Sequence, residues 1–238
     1  MKITKTLAKK VLEVVDAGLC SGKGIPVPGQ MCVEAAVCYA LGEPHSDEPS
    51  CVSPALRRFK IRLNDSEWSS NEARTKGLRR IAIAQLGTAG TLDETEFAKR
   101  ISEAIIRKIL PKVFRLVAQQ IPDHKDNLLA AADRCEKEGT KEAANAADAA
   151  YAAADAAARA AAYAAYAAYA ADAAYAVYAA VYAAYAAAKA ANAANAYYAA
   201  ADVANAAADE VLSETAELAT QILIDLGTPG SKFLSITE

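Results

Sequence analysis

From Thr140 to Leu226 the chain has neither glycine nor proline. Nothing in that stretch forces a turn, yet as one straight helix it would be ~130 Å long at 1.5 Å per residue. The whole chain lacks other things too. It has 26 basic and 29 acidic residues and a formal net charge of −3, which argues against the basic stripe of a nucleic-acid binder. The longest charge-free part of the tract, 173–188, is shorter than the ~20 residues a membrane helix needs. No run of four to eight residues alternates apolar and polar, so strands are not expected. The start of the chain is amphipathic and has no continuous apolar run, which is not the pattern of an export signal. The five cysteines are odd in number and contain no C-x-x-C pair, which suits reduced thiols in a cytoplasmic protein better than a disulfide framework.

What is present is helical. Ile3, Leu7, Val11, Val14, Val15 and Leu19 recur at helical spacing and predict a helix over 2–18. The loop SGKGIPVPG breaks the pattern, and Gln30 to Leu41 reads as a short, buried helix closed by Gly42. Ser53-Pro54 opens a helix to about Leu63. Ser69 or Ser70 caps the next, which Gly87 closes. TLDETEF precedes a helix over 98–110 as a capping box would, Pro111 restarts one to Gln120, and another covers 123–137. Val211 to Leu226 is an ordinary amphipathic helix.

Ten of the eleven tyrosines lie in the alanine tract. Ala has the best helix propensity and permits close helix approach, while Tyr adds apolar area with a hydroxyl at its tip. Tyr175, Tyr178, Tyr182 and Tyr185 follow 3-4-3 spacing and form one stripe. Asn192, Asn195, Asn205 and, less strongly, Asp172 are the expected corners where the tract folds back. The expected fold is therefore all-α: a multi-helix bundle of short N-terminal helices packed on long Ala/Tyr-rich antiparallel helices. By composition it divides into 1–138 and 139–238.

Residues able to carry chemistry concentrate between Cys32 and Pro54. Cys32, Cys38, His45 and Cys51 are zinc-type ligands, although no spacing among them matches a known knuckle, so no cofactor is expected and zinc is the alternative. Cys32 near a helix N-terminus, where the dipole lowers a thiol pKa, with His45 as base and Gln30 as oxyanion donor, describes a thiol nucleophile. The third reading is a polar ligand pocket or an internal scaffold. Glu34 on an apolar helix needs a partner, with Arg57, Arg58, Arg62 or an amide of the 43–51 loop in reach. Ser46 and Asp47 cap turns or line the pocket, as do Asn64 and Asp65. Tyr175, Tyr178 and Tyr182 would line a polar groove or pack an interface. Trp68, the only tryptophan, reads as a core plug, and His124 as a solvated residue.

A string of these residues also resembles a domain found in bacteria and phages. It consists of Cys32, Glu34 and Ala35; Gly42, Glu43, Pro44, Ser46, Asp47, Pro49 and Cys51; Pro54; Asn64-Asp65; and Gly87-Thr88. The resemblance covers about a quarter of the chain and implies no particular activity. Residues 125–210 resemble the Ala-rich helical domains of bacterial toxin-immunity proteins, which implies a protein that blocks or sequesters a partner. The expectation is thus a non-catalytic binding protein with a protein or small-molecule partner, not nucleic acid or membrane. The alternatives are a thiol-dependent enzyme using Cys32 and His45, and a homo-oligomer assembled through the Ala/Tyr helices.

Overall fold

The computed structural model describes residues 2–120, 125–154 and 201–238. They form nine α-helices: α1 Lys5–Asp16, α2 Val33–Leu41, α3 Pro54–Asn64, α4 Asn71–Ala84, α5 Glu94–Ala104, α6 Leu110–Gln120, α7 Lys125–Glu138, α8 Lys141–Ala154 and α9 Ala201–Asp225. A 3-10 segment, Gly230–Thr237, ends the chain. Among the described residues there is no strand, only two isolated bridges at Met31. The fold is all-α and bundle-like, and no described helix is long and apolar enough to cross a membrane. The tyrosine stripe at Tyr175, Tyr178 and Tyr182, the corners at Asp172, Asn192 and Asn195, and His124 lie outside the described residues.

Six of the described helices begin where a side chain takes an orphan backbone amide. Thr4 accepts from Leu7 at 3.2 Å, Cys32 from Ala35 at 3.4 Å, Ser53 from Leu56 at 3.2 Å and Ser70 from Ala73 at 3.0 Å. Asp93 accepts from Glu96 at 2.9 Å and Thr140 from Ala143 at 3.2 Å. Helix α2 ends at Gly42 in the left-handed region, which glycine enters without steric cost.

Two expectations are corrected. Pro111 does not restart a helix. A proline inside a helix has no amide to donate, and its ring strikes the carbonyl four residues back. Here the helix widens to a π-turn over Ile105–Ile109 and continues into α6, as a helix can when it absorbs such a fault. Asn205 is not a corner either, since it lies inside α9. Asn costs a helix interior well under ~1 kcal/mol, less than the burial of Val211, Leu212, Ala216, Ala219, Ile222 and Leu223 further along returns.

Contacts divide the chain into two units: Met1–Phe97 with Leu212–Glu238, and Ala98–Val211. The compositional boundary at 138/139 marks a change of residue type and is not the boundary between these units. In the first, α1 packs on α2 and α4, α2 on α3, and the 3-10 segment on α4 and α1. The core includes Val11, Val15, Leu19, Val37, Leu56, Phe59, Leu78, Ile81 and Leu86, with Phe59 and Phe97 edge to face at 6.1 Å. Leu234 of the tail is also buried, and an Arg79 guanidinium nitrogen donates to the Thr237 carbonyl. In the second unit α7 packs between α6 and α8. There the Arg107 guanidinium donates to the carbonyls of Glu136, Lys137 and Glu138 at 2.7–3.1 Å, capping the negative end of α7.

Trp68 is a core plug, buried with its indole N–H donating to the Leu63 carbonyl at 2.9 Å. Its ring lies over Gly77 in mid-α4, where an added Cβ would overlap ring carbons. Gly77→Ala therefore sets ~1 kcal/mol of helix propensity against an overpacking cost of ~1–3 kcal/mol. We expect a net loss of stability, read as a lower denaturant midpoint with unchanged slope. A gain would show that the Trp68 ring relaxes freely.

Candidate functional site

The site is built where α2, α3 and the loops before and after α2 meet. Helix α3 shows why. Its buried residues are Ala55, Leu56, Phe59, Lys60, Leu63 and Asn64, a single stripe at helical spacing. Two positions on that stripe are polar. One is Lys60, fully enclosed, whose Nζ lies 2.8 Å from Oε1 of the equally enclosed Glu34 on α2. The other is Asn64. Glu34 was expected to be buried with an arginine or a loop amide as partner, and the structure corrects the partner to Lys60. Arg57 instead pairs with Glu48 at 2.9 Å, and Arg58 and Arg62 are exposed. The α3 stripe itself was the available signal: Lys60 is four residues after Leu56 and three before Leu63, whereas the three arginines fall off the stripe.

Burial pushes the Glu34 carboxyl above its ordinary range, with the Lys60 charge opposing, and pushes the Lys60 ammonium below its own, with Glu34 opposing. Beyond their ion pair, neither Glu34 oxygen nor Lys60 Nζ has a hydrogen-bond partner. Both side-chain amide atoms of the fully buried Gln85 are likewise without one. Sequence reasoning had not singled out Gln85.

Asn64 and Asp65, expected to bind a ligand, are tied into the scaffold. Asn64 Oδ1 accepts from the Val33 amide at 3.1 Å, and its Nδ2 donates to the Cys20 carbonyl at 2.9 Å and to Asp65 at 2.8 Å. Arg74 donates to the Asn64 carbonyl at 2.8 Å, and Asp65 accepts from the Gly22 amide at 2.7 Å. These bonds fasten the 19–33 segment to the end of α3. The loop after α2 closes on itself: Glu43 accepts from the Ser50 amide at 3.2 Å and from the Ser50 hydroxyl, and Ser46 accepts from the Glu48 amide at 3.1 Å. Asp47 adds a charge felt at Glu34.

Cys32, Gln30 and His45 have separate partners. The Cys32 thiol caps α2 and is buried. Burial pushes it up to about 11, which reverses the expected lowering: in a dry setting desolvation of the thiolate exceeds the pull of the helix dipole. His45 Nε2 donates to the Gly24 carbonyl at 3.0 Å, because a carbonyl can only accept, and its buried Nδ1 has no hydrogen-bond partner among the described residues. Gln30 is exposed, its backbone carbonyl accepting from the Ile25 amide at 2.9 Å. Cys38 is raised to about 12 by burial first and then by the nearby Glu43 carboxylate, and Cys51 is raised by burial. Among the described residues no group of three or more His, Cys, Asp or Glu is placed to hold a metal ion, and all five cysteines are free.

The second element is the loop before α2, which sequence reasoning passed over as a breaker. Residues 21–28 are exposed, yet their backbone is pinned. Ile25 and Gln30 close a turn through amide–carbonyl bonds of 2.9 Å, as do Gln30 and Val27, and the Cys32 amide donates to Lys23 at 3.3 Å. A Cβ at Gly24 would strike the Gln30 carbonyl, and φ there is +69°, so only glycine fits. This loop carries Ile25 and Val27, 52% and 42% exposed. With Tyr39 of α2, 41% exposed, they are the exposed large apolar side chains among the described residues. His45 ties the turn that follows Tyr39 to Gly24, the residue before Ile25. No family model, no characterised protein and no solved structure matches this chain.

Proposed function

We propose that the protein is a non-catalytic helical binding protein whose loop 21–30 docks a protein partner. The observation that carries the reading is the placement of Ile25, Val27 and Tyr39: large apolar side chains presented to solvent on a backbone held by its own hydrogen bonds. Pro26 and Pro28 flank Val27 and remove conformational freedom that docking would otherwise cost. The complementary surface is an apolar groove that accepts a short, extended, proline-stiffened segment. The likeness of 125–210 to toxin-immunity domains suggests the same class, a protein that sequesters another, as an immunity or anti-defence factor would. The high thiol pKa of Cys32 weighs against the enzyme reading, because an unactivated thiol is a poor nucleophile at neutral pH.

Native mass spectrometry of protein purified from its host tests this. We expect a defined partner on the wild-type chain and at least tenfold weaker binding of the same partner by Ile25→Asp/Val27→Asp, with unchanged circular dichroism. Undiminished binding by the variant would reject the loop as the docking element. A homo-oligomer as the retained species would favour the assembly reading instead.

A further inference from the structure

We infer that the Glu34–Lys60 pair is the wall of a buried binding site for a small neutral molecule that both donates and accepts hydrogen bonds. The inference is independent of the docking loop. The pair is fully enclosed, and its one mutual contact of 2.8 Å leaves most of its bonding capacity unused. A carboxylate accepts at about four lone-pair positions and an ammonium donates three hydrogens, yet Glu34 Oε1 and Oε2 and Lys60 Nζ find no hydrogen-bonding group of the protein besides each other. Buried polar groups in folded proteins are almost always bonded, and an orphan points to water, an ion or a ligand.

A second observation, on another helix, points the same way. Gln85 at the end of α4 is fully buried with both its amide oxygen and its amide nitrogen unpartnered. It belongs to the turn that packs on Cys51 to Ser53, since the Thr88 hydroxyl donates to the Gln85 carbonyl at 2.7 Å and accepts from the Ser53 amide at 2.9 Å. Ser53 in turn caps α3, the helix that carries Lys60. Pair and amide thus belong to one region of the first unit.

The chemistry of these groups selects the guest. The pair is neutral as a whole, so an ion would leave a net buried charge, a heavy cost in a dry interior. A guest at Glu34 must donate, and one at Lys60 must accept. Water does both, as does a small hydroxyl or amide compound. Enclosure on all sides implies that the guest exchanges only when the helices open.

Two measurements on the whole protein separate the sources and test the site. Native mass spectrometry after extensive desalting reads an added mass if the guest is a compound. Oxygen-17 relaxation dispersion counts long-lived internal waters. Either signal is expected in the wild type and should disappear in Glu34→Met/Lys60→Met. No added mass together with equal dispersion in both proteins would overturn the inference. If the double variant does not fold, a high-resolution crystal structure of the wild type decides. Density bonded to Glu34 and Lys60 supports the site, and close-packed apolar atoms around both overturn it.

Discussion

Lys60→Met should destabilise the protein by ~3–5 kcal/mol, whereas Glu34→Met/Lys60→Met should be neutral or stabilising by up to ~4 kcal/mol. The single change removes the cation and leaves the Glu34 carboxylate fully buried without it. The double change removes both desolvation penalties and fills the space with apolar atoms of similar volume. The contrast between single and double variants, read from denaturant midpoints at pH 7, is therefore larger than either value alone. The single variant also has a pH signature. Burial already raises the Glu34 carboxyl, and Lys60 opposes it most, with Arg57 adding to that pull. Without Lys60 the folded-state pKa rises further above the unfolded value of about 4.3. A carboxyl raised in the folded state contributes stability that is present below the unfolded pKa and lost as pH rises through the folded one. Lys60→Met should thus become more stable relative to wild type as pH falls from 7 towards 4. A difference that stays flat with pH would mean that the carboxylate finds another partner.

Alkaline solution should weaken the protein through its thiols. Cys32 and Cys135 are raised to about 11 and Cys38 to about 12, burial being the first cause in each. A thiol raised in the folded state holds its proton longer there than in the unfolded chain. Its contribution is complete below the unfolded value of about 8.5 and is lost as pH rises through the folded one. For Cys32 alone the window runs from about pH 8.5 to 11 and the loss is about 3 kcal/mol at its upper end. Lys60 acts in the opposite sense. Its folded-state pKa is lowered, so deprotonation favours the folded chain as pH rises from that value towards about 10.4. A comparison of Cys32→Ser with wild type isolates the thiol, because serine still caps α2 and does not titrate. Under reducing conditions the denaturant midpoint of Cys32→Ser should fall less between pH 8 and 11 than that of wild type. Identical slopes would show that Cys32 ionises as readily in the folded protein as in the unfolded chain.

Much of this architecture was legible in the chain. The apolar residues of α1 repeat at helical spacing, Ser53-Pro54 announces α3, and Gly42 and Gly139 stand where α2 and α7 stop. Capping is local chemistry, readable from neighbours in sequence. Pro111 was misread because a helix can widen around a proline, and that choice depends on what packs beside it. Of the site, the buried state of Glu34 and the plug role of Trp68 followed from their apolar or isolated contexts. The Lys60 partner was recoverable from the α3 stripe but was overlooked, because a lysine on a core face runs against the ordinary cost of burying a charge.

The sequence alone determined the secondary-structure class, the starts of α3 and α4 and the glycine stops, since these depend on propensity, periodicity and caps that act within a few residues. Only the tertiary structure decided what the polar residues do. Asn64 and Asp65 became the fasteners of the 19–33 segment, and Cys32 became a protonated cap. Breaker residues 21–30 became a pinned, apolar-tipped loop. Each outcome depends on which distant backbone amides, carbonyls and charges arrive beside a side chain and on how much water they exclude, and no window of neighbouring residues contains that information.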